Sequence, residues 1–216
     1  QVQVQLGGIN ADALTHTGPA VFLFLSIGLM FINTSLEGYK WHLLTKPVEV
    51  MKYSRAFASY LAGVALSIIT PNRIGEYPGR ILYLGRTNTF RYINVSVLGV
   101  MSQLAGVYIL GLLGLVYYNI AFPTPYTVWG LVFCILANIL LAVIYWRFES
   151  WLPLAERFRW LRRFSVYGRL LTRVTTRRQL LVLGISLLRC LIFTAQYLFL
   201  LRWMNVNVPL AEGFCM

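Results

Sequence analysis

The chain has 216 residues, of which 58% are hydrophobic and 15% aromatic, with a mean hydropathy of +0.65. A water-soluble domain of this length cannot bury that much apolar surface, so the composition points to an integral membrane protein. The formal charge of +12, from 19 Lys+Arg against 7 Asp+Glu, would suggest nucleic acid in a soluble chain; here the basic residues cluster between apolar runs, and the positive-inside rule accounts for them without a nucleic-acid partner.

In chain order, residues 1–16 hold no Lys or Arg, which places the N-terminus outside. Residues 18–36 are long and apolar enough to cross about 30 Å of hydrocarbon. The stretch closes on Glu37, Lys40 and Trp41, with Asn33 one turn earlier. Glu37 and Lys40 share a helix face at i, i+3. Two readings stand: an anchor at the headgroup boundary, where Trp and Lys are common, or a charged pair turned into the bundle.

The loop at 40–55 is basic, and so is 73–91; between them lies a short uncharged run, 56–72. Both flanks of one short run therefore ask to be cytoplasmic. The conflict is eased if a half-helix at 56–70 enters the membrane, breaks, and returns as a second half-helix at 78–90. The break itself reads Thr70-Pro-Asn-Arg-Ile-Gly-Glu-Tyr-Pro-Gly-Arg80. Pro71 and Pro78 each remove a backbone donor, and Gly75 and Gly79 tolerate backbone that other residues resist. Broken backbone beside ionisable groups survives in a membrane only inside protein or along a watery cavity. Arg73, Glu76 and Arg80, with Asn72, are thus the candidate substrate-binding residues. The competing reading is a surface loop with solvated charges.

From Tyr92 to Trp146 there is no charged residue. Pro123 and Pro125 split this stretch into spans at 93–120 and 127–146, joined on the outside. Gly99, Ser102 and Gly106 fall on one face, where small residues admit a close helix, and Gln103 and Asn138 are expected to hydrogen-bond neighbouring helices. Residues 147–178 hold nine arginines and an apolar periodicity, which reads as a cytoplasmic basic amphipathic segment. The last complete span is 179–203. It carries Arg189 near its middle, which demands a partner, for which Glu37 and Glu76 are the candidates; Gln196 lies two turns further on the same face.

The expected fold is therefore all-α: one polytopic helical membrane bundle, residues 1–216, with a re-entrant broken-helix element. The three cysteines form no disulfide framework, and His16 and His42 are isolated, so neither a metal site nor a cofactor is expected. No phosphate loop, nucleophile elbow or His-Glu-x-x-His is present, and no catalytic residue is assigned.

Asn33-x-x-x-Glu37-x-x-Lys40-Trp41, then Leu61-Ala-Gly63 and Thr70-Pro-Asn-Arg73-Ile-Gly75-Glu76-x-x-Gly79-Arg80, resemble the lysylphosphatidylglycerol synthase transmembrane-region family of flippase-like membrane proteins. The resemblance covers essentially the whole chain, looks most like members from Bacteroidetes, and implies a C-terminally truncated fragment. It implies a bundle in a bacterial inner membrane that moves an anionic or aminoacylated phospholipid or an isoprenoid-linked lipid. It turns the balance toward function for Arg73, Glu76 and Arg80, and toward a bundle-facing pair for Glu37 and Lys40. Membrane lipids are the implied partners. The alternative is a membrane subunit that presents lipid to a separate aminoacyl or glycosyl transferase.

Overall fold

A computed structural model describes residues 20–71, 75–84, 89–121, 125–146 and 175–206. These residues form six helices: α1 (Ala20–Thr45), α2 (Tyr53–Ile69), α3 (Glu76–Leu84), α4 (Thr89–Ala121), α5 (Pro125–Trp146) and α6 (Thr176–Trp203). Among the described residues there is no strand, and the fold is an all-helical polytopic bundle. α1, α4, α5 and α6 are each long and apolar enough to cross a membrane; α2, at 17 residues, is a shorter apolar helix. The basic segment at 147–178 lies outside the described residues as far as 174, and Thr176 to Arg178 form the first turn of α6.

α1 is the centre of the bundle and packs on α2, α4 and α6. It continues nine residues past the 18–36 stretch, to Thr45, and that extra length carries Glu37, Lys40, Trp41 and Leu44 into the interior. The core gathers at this end, around Trp41, Leu44, Tyr92, Leu98 and Val182, which are nearly free of solvent contact. The outward surface is apolar as well: Phe24, Trp129 and Phe133 are exposed, as expected of side chains that meet lipid tails.

The small face of α4 does what its spacing predicts. Gly99 lies under Leu44 of α1, Gly106 faces the backbone of Ser186 and Leu187 in α6, and Ser102 Oγ lies 3.1 Å from Ser186 Oγ. α5 is tied to α4 by Asn138, whose Nδ2 donates to the Tyr108 carbonyl at 3.1 Å, and to α6 by Tyr145, whose hydroxyl donates to the Gln179 carbonyl at 2.9 Å. At the foot of α4, Tyr92 donates to Glu49 at 2.7 Å, fastening the loop between α1 and α2.

α2 stops because Thr70 precedes proline. Its φ of −102° and ψ of 139° are the extended conformation that Pro71 imposes. The Thr70 hydroxyl donates back to the Leu66 carbonyl at 3.1 Å and accepts the Gly75 N–H at 2.8 Å, so one side chain closes the turn. α3 then starts at Glu76. Pro78 sits in its first turn, where no intrahelical acceptor exists for an N–H, so the missing donor costs nothing.

α3 runs back along α2 as an antiparallel partner. Ser59 Oγ donates to the Arg80 carbonyl at 2.9 Å, and Gly63 and Gly79 meet backbone to backbone. A Cβ on Gly79 would lie 2.8 Å from Gly63 Cα, and one on Gly75 would lie 2.7 Å from the Leu66 carbonyl oxygen. Neither Gly75 nor Gly79 is left-handed. The value of these glycines is room for the two helices, rather than the backbone freedom the sequence suggested.

Gly63→Ala is expected to destabilise the protein by about 1–3 kcal/mol, because its new methyl would meet the Glu76 carbonyl oxygen at 2.5 Å. Gly28→Ala, with nothing within 4 Å of the added carbon, should be neutral or slightly stabilising. Thermal melts of the two variants in detergent check this; equal melting temperatures would contradict the close contact.

Candidate functional site

The hairpin of α2 and α3 delivers Arg80 to α1, where Glu37 is already buried. Glu37 is the hub. Its Oε2 pairs with Lys40 Nζ at 2.7 Å and with Arg189 of α6, and its Oε1 accepts from Arg80 at 3.3 Å. The i, i+3 spacing of Glu37 and Lys40 aims both at the same interior. The same Arg80 nitrogen also pairs with Glu76, one turn earlier on α3 at i, i+4. Acid before base at that spacing is the favourable order, and Glu76 in the first turn suits the helix dipole.

Neutral groups complete the shell. Gln103 Oε1 accepts from Arg189 at 3.1 Å and from Lys40 at 3.4 Å, while its Nε2 donates to Cys190 Sγ at 3.1 Å. Asn33 Oδ1 accepts from Arg189 Nε at 2.8 Å. The Arg80 guanidinium is sandwiched between aromatic rings, 5.0 Å from the centroid of Trp41 and 4.9 Å from that of Tyr60. Such contacts gain strength when desolvated. Trp41 Nε1 donates to Ser59 Oγ at 3.3 Å, which in turn holds the Arg80 carbonyl.

The electrostatics are unusual in two respects. Lys40 and Arg80 are only 2% and 4% exposed, so these charges stand in the interior of an apolar bundle and depend on their partners. The cluster also joins three cations, Lys40, Arg80 and Arg189, to two carboxylates, Glu37 and Glu76. Counted over the described residues, it therefore carries an excess positive charge. Arg80 Nε is buried and has no hydrogen-bond partner among the described residues. Glu76 and Arg189 are the more accessible members, with side chains 23% and 18% exposed.

These groups line one cavity of about 850 Å³, bounded by α1, α2, α3, α4 and α6. Glu37, Lys40, Glu76, Arg80, Gln103, Arg189 and Gln196 all border it. Gln196 stands at one end, and its backbone carbonyl accepts from Ser26 at 3.4 Å. Pro71, Gly75, Pro78 and Gly79 shape the hairpin and do not border the cavity. Asn72 and Arg73 lie outside the described residues. Among the described residues no group of His, Cys, Asp and Glu is placed to hold a metal ion.

Sequence reasoning passed over the aromatic walls. Trp41 read as an interfacial anchor, yet it is fully buried and covers Arg80. Tyr60 went unremarked; its signal was the face it shares with Gly63 and Ser67, at i, i+3, i+7 on α2. Cys190 read as a small hydrophobe but borders the cavity and takes a hydrogen bond from Gln103.

Glu37→Gln should cost about 3–5 kcal/mol, since it strips one carboxylate from three cations, of which Lys40 and Arg80 are buried. Glu76→Gln should cost clearly less, because Glu76 is partly exposed and Arg80 keeps Glu37. In an Arg189→Leu background the Glu37→Gln loss should shrink, as coupled partners require. Melting temperatures of the four proteins give the cycle; additive losses would contradict the pairing.

The sequence model of the lysylphosphatidylglycerol synthase TM region matches residues 10–216, nearly the whole chain. No curated protein and no solved structure matches it. The match includes every residue of the charged cavity and all six described helices. The chain therefore belongs to the lysylphosphatidylglycerol synthase transmembrane-region family, as a multi-pass membrane protein.

Proposed function

We propose that this protein takes the anionic head of a membrane lipid into the charged cavity and moves it across the bilayer, as a flippase-like transporter. The observation that carries this reading is the excess of cations, three against two carboxylates among the described residues, in one cavity of a membrane bundle. At about 850 Å³ the cavity lies within the range of small-molecule sites, roughly 300–1,000 Å³. Guanidinium groups suit phosphate because their donors match its oxygens two at a time.

In this reading Arg80 and Arg189 hold the head. Glu76 stands in for it on Arg80 when the site is empty, and can pair with the ammonium of an aminoacylated head. Arg73 and Asn72 border the same break in the chain and are assigned to the same task. Glu37, Lys40 and Gln103 keep the cations in place. The α2–α3 hairpin acts as a re-entrant element, open to the cytoplasmic leaflet, in a chain whose N-terminus faces outward in a bacterial inner membrane. An intramembrane site at a broken helix is the arrangement other transporters use.

The test is lipid movement in phosphatidylglycerol liposomes, run beside thermal melts of the same variants. Arg80→Ala should slow movement about tenfold or more, the ~1.5–3 kcal/mol of a charge-assisted hydrogen bond, while the protein still inserts. Arg80→Lys should recover only part, since a point charge cannot make a two-pronged contact. Glu76→Gln should change the rate more than the melting temperature. Full movement by Arg80→Ala would overturn the assignment. Lipid binding without movement would point instead to a domain that presents lipid to a separate transferase.

A further inference from the structure

The charged cavity shares one lining residue, Val107, with a second hollow. The face of α4 that borders the cavity continues along the same helix into that hollow. Ser96, Gln103 and Val107 line the cavity; Val107, Gly111, Gly114 and Tyr118 line a groove of about 390 Å³ between α4 and α5. Steps of three, four and seven residues keep all of these on one face of α4. Val107 belongs to both hollows, so the groove begins where the polar lining stops.

The groove differs in chemistry from the cavity. Facing α4, its wall is Cys134 of α5, and among the described residues no charged side chain borders it. Its floor is made by glycines. A Cβ built on Gly111 meets nothing within 4 Å, so the space above this exposed residue is open, while Gly114 is buried. From Val107 to Tyr118 the groove runs about 16 Å at about 1.5 Å per residue, which is roughly one leaflet's share of a ~30 Å hydrocarbon core.

We infer that this α4–α5 groove binds one hydrocarbon chain of the same lipid whose anionic head occupies the charged cavity. A charged pocket and an uncharged groove of one-leaflet length that share Val107 match an amphiphile and neither half of it alone. The head supplies charge complementarity at Arg80 and Arg189, and the tail fills the open space over Gly111. The groove thereby makes the site selective for chain length and bulk. The inference rests on the head-group reading above, and its test separates the two.

The probes are two phosphatidylglycerols, a dihexanoyl form that is mostly head and a dioleoyl form, each titrated against detergent-solubilised protein by microscale thermophoresis. The unaltered protein should bind the dioleoyl lipid at least tenfold more tightly. Gly111→Leu, which puts a side chain into the groove where nothing stands in its way, should remove most of that advantage. Its melting temperature reports folding, and Gly111→Ala, adding one methyl, should lose only a small part of the advantage. An undiminished long-chain preference in Gly111→Leu would overturn the groove while leaving the head site standing. Equal affinities for the two lipids in the unaltered protein would overturn it too. If neither lipid binds, the head-group reading falls, and the groove with it. A change in dimer content with unaltered lipid preference would assign the groove to a second copy of the chain and also overturn the inference.

Discussion

A carboxylate cannot sit unpaired inside an apolar bundle, and Glu37 sits there. Everything around it answers that constraint. Lys40 comes from the same helix, Arg189 from α6, and Arg80 from the hairpin, so three separate elements must dock before the charge is met. A pair of helices held by tails alone has little to orient it in lipid, because lipid is as apolar as leucine. Here a single buried acid sets which helices meet and at what height.

The hairpin depends on that meeting and makes it possible. Thr70 closes the turn after Pro71, and the contact of Gly63 with Gly79 brings α3 against α2 closely enough for the Arg80 carbonyl to reach Ser59. The guanidinium is then held between Trp41 and Tyr60 and ends at Glu37. Larger residues at either glycine would push α3 outward and withdraw a cation from the centre. Packing and charge are therefore parts of one device.

In the proposed reading, the same cluster that stabilises the bundle also accepts an anion. Among the described residues two carboxylates serve three cations, one carboxylate is partly open, and a buried Arg80 nitrogen has no hydrogen-bond partner. A site with every charge matched would resist an incoming phosphate. A site with a surplus cation and a displaceable internal acid exchanges partners at modest cost, which is what passage of a charged head through a membrane requires.

By itself the sequence determined the membrane character, the all-helical fold, the break at Pro71 and the need for an interior partner for Arg189. Those follow from local quantities: runs of apolar residues, the geometry of proline, and the cost of a mid-span charge, all readable along one dimension. The i, i+4 spacing that pairs Glu76 with Arg80 is local too. Only the tertiary structure decided that Glu37 holds three cations from three elements, that Gln103 serves two of them, and that Trp41 lies over Arg80 and not at a headgroup boundary. It likewise decided that Gly63 and Gly79 matter for the space between helices. These are facts about distance between residues far apart in the chain, and periodicity says which face a residue occupies but not which helix will stand opposite it.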